Sequence, residues 1–93
     1  MIHSFADKET QRIWLGQRSR KLPPNIQIRA RAKLLLLASA DELDDLRNPP
    51  SNKLHALQRE RAGQHAIWIN SQWRVCFTWK GSHAHDVEVT DYH

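Results

Sequence analysis

The stretch Trp73-Arg74-Val75-Cys76-Phe77-Thr78-Trp79-Lys80 decides the fold. Large apolar residues stand at 73, 75, 77 and 79, interleaved with Arg74, Cys76, Thr78 and Lys80. A period of two predicts a strand with one buried face and with Arg74 projecting from the other. Asn70-Ser71 before it and Gly81-Ser82 after it have the composition of hairpin turns. The runs 64–69 and 84–90 therefore read as its antiparallel neighbours, and 54–57 as a further strand.

Upstream the period changes. Pro23-Pro24 stands where a helix begins, since the first turn does not need the missing N–H. Ile26, Ala30, Leu34 and Leu37 then recur at helical spacing, flanked by Ile28 and Leu35, with Arg29, Arg31 and Lys33 on the remaining surface. Asp7 caps an earlier helix that runs to about Leu15, with Glu9 in its first turn and Gly16 as its stop. Residues 2–5 read as a short strand. Residues 41–46 form an acidic turn or short helix ended by Asn48-Pro49-Pro50. The order is β-α-α-(α)-β-β-β-β: an α+β protein with two N-terminal helices packed on a small antiparallel sheet. Packed as a hairpin, the helices would offer Arg12, Arg18, Arg20, Lys21, Arg29 and Lys33 to solvent.

At 93 residues the chain has room for one domain, 1–93, able to bury roughly two thirds of the surface its unfolded form exposes. With 40% apolar and 26% charged residues it is unlike a disordered tail. No run approaches the ~20 apolar residues of a membrane span. The opening residues lack a basic segment followed by an apolar one, so a cytoplasmic protein without a membrane partner is expected. The formal charge of +4 favours encounter with a polyanion. Cys76 is the sole cysteine, which excludes an internal disulfide; within an apolar strand it reads as a small buried residue, and nothing marks it as an activated nucleophile. The three glycines stand apart, so there is no phosphate-cradling loop. His83 and His85 share a strand face, but no further cysteine, carboxylate or histidine completes the spacing of a structural zinc site. Neither metal nor cofactor is expected.

The chemistry-bearing groups gather late in the chain: His55, Arg59, Arg61, His65, Arg74 and the run Asp91-Tyr92-His93. RNA is cleaved without a metal if a base takes the 2′-hydroxyl proton, cations hold the phosphate, and an acid protonates the leaving 5′-oxygen. Histidine suits base and acid, with an ordinary pKa of about 6.5. Arginine suits the phosphate, since its planar fork meets two oxygens at once.

These residues also carry a resemblance. Lys53-Leu54-His55-Ala56-Leu57-Gln58-Arg59-Glu60-Arg61-Ala62-Gly63 resembles the "KLHPLKGDRxG" segment of the HigB toxins. Trp68-Ile69-Asn70-Ser71-Gln72-Trp73-Arg74-Val75-Cys76-Phe77 resembles their "I-N-x-Q/N-W-R-I-x-F" strand pair. Val87-Glu88-Val89-Thr90-Asp91-Tyr92-His93 is similar to their "V-x-x-x-DYH" ending, and Ile2-His3-Ser4-Phe5-Ala6-Asp7-Lys8 to their "I-x-S-F-x-x-K" opening. The resemblance spans essentially the whole chain. It implies the fold of the RelE/ParE toxin superfamily and a ribosome-dependent, metal-independent messenger-RNA endoribonuclease. The partners it implies are the 70S ribosome and its message, a helix-turn-helix HigA-type antitoxin, and operator DNA reached through that antitoxin. His55, Asp91, Tyr92 and His93 match the family's catalytic positions and Arg74 its phosphate-binding arginine, with Arg61 in support. His93 or His55 would be the base and the other the acid; Asp91 would orient an imidazole or favour its cation, and Tyr92 would stack on a base or donate a proton. The chain departs from the pattern where Leu57 is followed by Gln58 and Arg59 instead of lysine and glycine. Gln58 supplies no cation, so either Arg59 relocates the phosphate grip or catalysis is weakened. The competing readings are a gyrase inhibitor of the ParE kind, which needs no catalytic histidines, and a weakened module that acts only through antitoxin and operator DNA. The six basic residues of the helical hairpin would face ribosomal RNA or the antitoxin.

Overall fold

A computed structural model describes residues 1–91. Two helices, α1 (Lys8–Trp14) and α2 (Pro24–Ser39), precede four strands: β1 (His55–Ala56), β2 (His65–Trp68), β3 (Trp73–Lys80) and β4 (His83–Asp91). Short 3-10 turns at Leu43–Arg47, Pro50–Asn52 and Arg59–Arg61 join them. The strands form one antiparallel sheet in the order β1-β2-β3-β4.

Each helix starts for a local reason. The Asp7 carboxylate accepts the Thr10 N–H at 2.7 Å, satisfying one of the donors a first turn leaves open. Pro24 opens α2, where its fixed φ already suits a helix. Ile26, Ala30, Leu34 and Leu37 of α2 and Val75 and Phe77 of β3 are buried as the two periodicities predict; Trp73 and Trp79 are partly buried against them, and Ile13, Ile67, Val87 and Val89 complete the core. Ile28 lies off that stripe and is 89% exposed. Gln27 pins the loop between the helices, its amide donating to the carbonyls of Ser19 and Leu22 while its oxygen accepts the Ser19 N–H.

Two expectations are revised. Residues 2–5 do not form a strand of their own; they make isolated parallel bridges to β4, Ile2 with Ala84 and Phe5 with Val87. Lys33 is half-buried rather than offered to solvent, and its ammonium donates to Asn52 Oδ1 at 2.6 Å. Cys76 is buried, as its place in an apolar strand predicts, on the second face of β3 with Leu57 and Ala66. A register shift in the β3–β4 pairing also puts both Ala84 and Val87 on the core side, although strict alternation would separate them. Asp86 takes up the extra residue at φ 52°, and its N–H donates to Ser4 Oγ at 2.9 Å.

Candidate active site

The site is built on the sheet face away from the helices. His55 pairs with Ala66, Ala66 with Cys76 and Cys76 with Glu88, so these four form one cross-strand row. The next row on the same face is Trp68, Arg74 and Thr90, two residues along and hence ~7 Å away. Leu57 packs with Ala66 and Cys76 of the first row to make an apolar floor. Burial there pushes the Cys76 thiol up to about 11, against a smaller opposing pull from Arg61, so it stays protonated at neutral pH and is no nucleophile.

Over this floor lies a cleft of about 650 Å³ lined by His55, Gln58, Arg59, Glu60, Arg61 and Asp91. Four of the residues picked from sequence, His55, Arg59, Arg61 and Asp91, thus meet in one concavity. Tyr92 and His93 lie outside the described residues. The His55 ring is exposed, and its Nδ1 lies 2.8 Å from the Lys53 carbonyl. A carbonyl only accepts, so Nδ1 carries the hydrogen and, in the neutral ring, Nε2 is the basic nitrogen. Asp91 Oδ2 accepts from Gln72 Nε2 at 2.9 Å.

Residues 58–61 curl rather than extend, so strand alternation does not decide where Gln58 and Arg59 point; both line the cleft. Arg59 adopts a left-handed backbone at φ 58°. Arg61 Nη1 is 3.0 Å from Glu88 Oε1 and also donates to Gln64 Oε1 at 3.1 Å, tying the curl to β4. Its charge is therefore shared with a carboxylate, whereas Arg59 is exposed at the cleft rim.

Arg74 does not line the cleft itself. Its guanidinium lies over the Trp68 ring, 4.0 Å from the centroid, and Nη1 donates to the Asn70 carbonyl at 2.6 Å. Partial burial lowers its pKa, while the nearby Cys76 and Asp91 pull the other way; arginine remains charged. Lys53 lies over the same indole with Nζ 4.3 Å from the centroid. Sequence reasoning gave Trp68 and Lys53 no part in the site. The signal was the neighbouring Ile67: once Ile67 is in the core, a period of two sends Trp68 to the opposite face. His65, by contrast, pairs with Phe77, stacks on its ring on the helix-packed side and stands apart from the cleft.

The basic residues of the helical hairpin divide into two groups. Arg12, Arg18, Arg20 and Lys21 line one groove together with Glu9, which pairs with Arg12. Arg29 and Lys33 line another with Ser51, Lys53, Trp68, Ile69 and Asn70. The His3 ring lies 4.6 Å from His85 and 6.1 Å from His83, yet among the described residues no three histidines, cysteines or carboxylates are arranged to hold a metal ion.

The family model of the HigB-like toxins, RelE-like toxins of type II toxin–antitoxin systems, matches residues 3–93. The chain belongs to this family. It is 32% identical over 80 residues to Toxin HigB-1 of Vibrio cholerae, covering 85% of this chain and 84% of that protein. It is also 25% identical over 84 residues to an uncharacterized protein of Haemophilus influenzae, covering 89% and 83% of the two. Its fold is shared with a crystal structure of a YafQ mutant from E. coli, at a TM-score of 0.63 and 13% identity, over 98% of this chain and 93% of that one. Like other HigB-like toxins, this one is half of a pair: a type II system sets an antitoxin against its toxin. No helix among the described residues is long and apolar enough to cross a membrane.

Proposed function

We propose that this HigB-like toxin, a single domain over 1–93, is an endoribonuclease that cuts messenger RNA on the ribosome in the cytoplasm without a metal. The observation that carries the reading is the convergence of His55, Arg59 and Asp91 on one cleft, one row from Arg74. His55 Nε2 takes the proton of a 2′-hydroxyl. The freed oxygen attacks the adjacent phosphorus, a new P–O bond closes a cyclic phosphate, and the bond to the 5′-oxygen breaks. His93 protonates that leaving oxygen, Asp91 favours its cationic form, and Tyr92 stacks on the neighbouring base. Arg74 and Arg59 meet the charge that builds on the phosphoryl oxygens, where it is worth most to the rate. Arg61 braces the curl that holds Arg59. An antitoxin of the HigA kind silences the toxin and carries it to operator DNA.

Induced expression should arrest growth and produce new message 5′ ends within translated codons. His55→Ala and Arg74→Ala should each cut the cleavage rate by about 10²–10⁴-fold at equal abundance, with the fold retained by circular dichroism. Full toxicity from both variants would overturn the proposal. Growth arrest with intact messages and an SOS response would replace it with gyrase inhibition.

A further inference from the structure

We propose that the cleft formed by Arg29, Lys33, Lys53 and Trp68 holds a second backbone phosphate of the message, beside the one met at Arg74. The inference rests on the endoribonuclease reading and extends it to substrate grip. Three parts of the chain converge here: α2 through Arg29 and Lys33, the turn before β1 through Ser51 and Lys53, and the end of β2 through Trp68, Ile69 and Asn70, around about 230 Å³. Every ionised side chain lining it among the described residues is a cation. Among the described residues neither Arg29, Lys33 nor Lys53 forms an ion pair.

The cluster is held open by neutral groups. The Lys33 ammonium rests on Asn52 Oδ1, and the buried Asn52 is itself anchored by donating to the carbonyls of Leu46 and Asn48. Burial, with the Arg29 charge beside it, pushes the Lys33 ammonium below its ordinary range. An indole face attracts Lys53 and Arg74 without neutralising either, so both keep their charge toward an anion, Arg74 with the N–H groups its Nη1 bond to Asn70 leaves over. Positive charge gathered without a counterion is relieved by phosphate.

Lys53 also links this cleft to the chemistry. Its backbone is left-handed at φ 47°, its carbonyl fixes His55 Nδ1, and its ammonium lines the second cleft. One residue thus sets the base on one side and a cation on the other, with Trp68 as the shelf between Lys53 and Arg74. That continuity favours the message strand over ribosomal RNA or an acidic protein segment.

The test compares wild type with the Arg29→Gln, Lys53→Gln double variant; both side chains are exposed, and the carbonyl that holds His55 is kept. Binding is measured against salt on 70S ribosomes carrying a message with 2′-O-methyl groups, which blocks cleavage, and on ribosomes without message. Binding to the purified antitoxin and thermal unfolding are followed in parallel. On message-bearing ribosomes the variant should bind about tenfold more weakly, and the slope of log K against log salt should fall by roughly 0.7, the value for one lost single-strand phosphate contact. Binding to empty ribosomes, antitoxin affinity and the unfolding midpoint should not change. An unchanged slope on message-bearing ribosomes overturns the proposal. Equal loss on empty ribosomes overturns it by assigning the cations to ribosomal RNA, and loss confined to the antitoxin overturns it by assigning them to a protein partner. Wild type that fails to bind message-bearing ribosomes at all overturns the endoribonuclease reading, and this proposal with it.

Discussion

Where the HigB pattern has lysine and glycine, this chain has Gln58 and Arg59, and the Arg59 backbone at φ 58° explains the glycine. A side chain there costs roughly 1–2 kcal/mol that glycine does not. Arg59→Gly should therefore raise stability by about 1 kcal/mol, seen as a rise of several degrees in Tm, while lowering cleavage by removing a cation from the rim. Gln58→Lys should do the reverse to activity, raising the cleavage rate about tenfold with Tm nearly unchanged, since residue 58 is exposed. A third expectation concerns acid. Burial, with His55 adding a smaller repulsion, lowers the His65 pKa in the folded protein. A base whose folded pKa lies below its unfolded value favours folding while neutral, so stability is full above the unfolded value of about 6.5 and falls as pH drops from there through the folded value. His65→Gln should flatten that part of a Tm-against-pH curve; an unchanged acid limb would show that the burial does not matter. None of these residues is difficult to find in the sequence. What the sequence hides is conformation: nothing in the letters Gln58-Arg59-Glu60-Arg61 separates a curl with one left-handed residue from an extended strand end.

The elements were legible where one periodicity runs uninterrupted. Ile26, Ala30, Leu34 and Leu37 gave α2, and the alternation from Trp73 to Trp79 gave β3, because burial on one face leaves a regular trace. The trace fails in β4, where Ala84 and Val87 both turn inward across the bulge at Asp86, and it does not name the cover of Cys76 on the second face of β3, which is Leu57 from a distant segment. Such features follow from long-range packing, which no local window contains. The same packing makes an element-scale prediction. Thr10 is fully buried on α1, and its hydroxyl accepts the Val89 N–H of β4 at 2.9 Å. Thr10→Val keeps the shape and strands that N–H, which should cost about 1–3 kcal/mol in denaturant unfolding. Asp7→Ala, which removes only the cap of the same helix, should cost about 1 kcal/mol.

At the scale of the whole molecule, the first residues lie along β4. His3 N–H donates to the Ala84 carbonyl at 2.7 Å and Ala6 N–H to that of Val87 at 2.9 Å, while Ala84 and Val87 donate back to Met1 and Ser4. This covers an edge that would otherwise offer unpaired backbone groups to another chain. Removing residues 2–6 should lower Tm and shift the protein toward aggregates in size-exclusion chromatography, whereas Ile28→Ser, on the exposed helix face, should leave both unchanged. The overall charge was readable from composition, but its distribution was not. Which cations carry counterions and which do not depends on Glu9 reaching Arg12 and Glu88 reaching Arg61, while Arg29, Lys33 and Lys53 gather without one among the described residues.

The latch between the first residues and β4 has a bearing on biosynthesis. Contacts some eighty positions apart cannot close until β4 has emerged, and β4 also brings Glu88 to Arg61 and Asp91 to the His55 cleft. A nascent chain stalled before that strand has neither its latch nor its assembled groove. Fragments cut short of β4 should therefore fail to arrest growth when expressed in place of the full chain, and a growth assay of such truncations checks it.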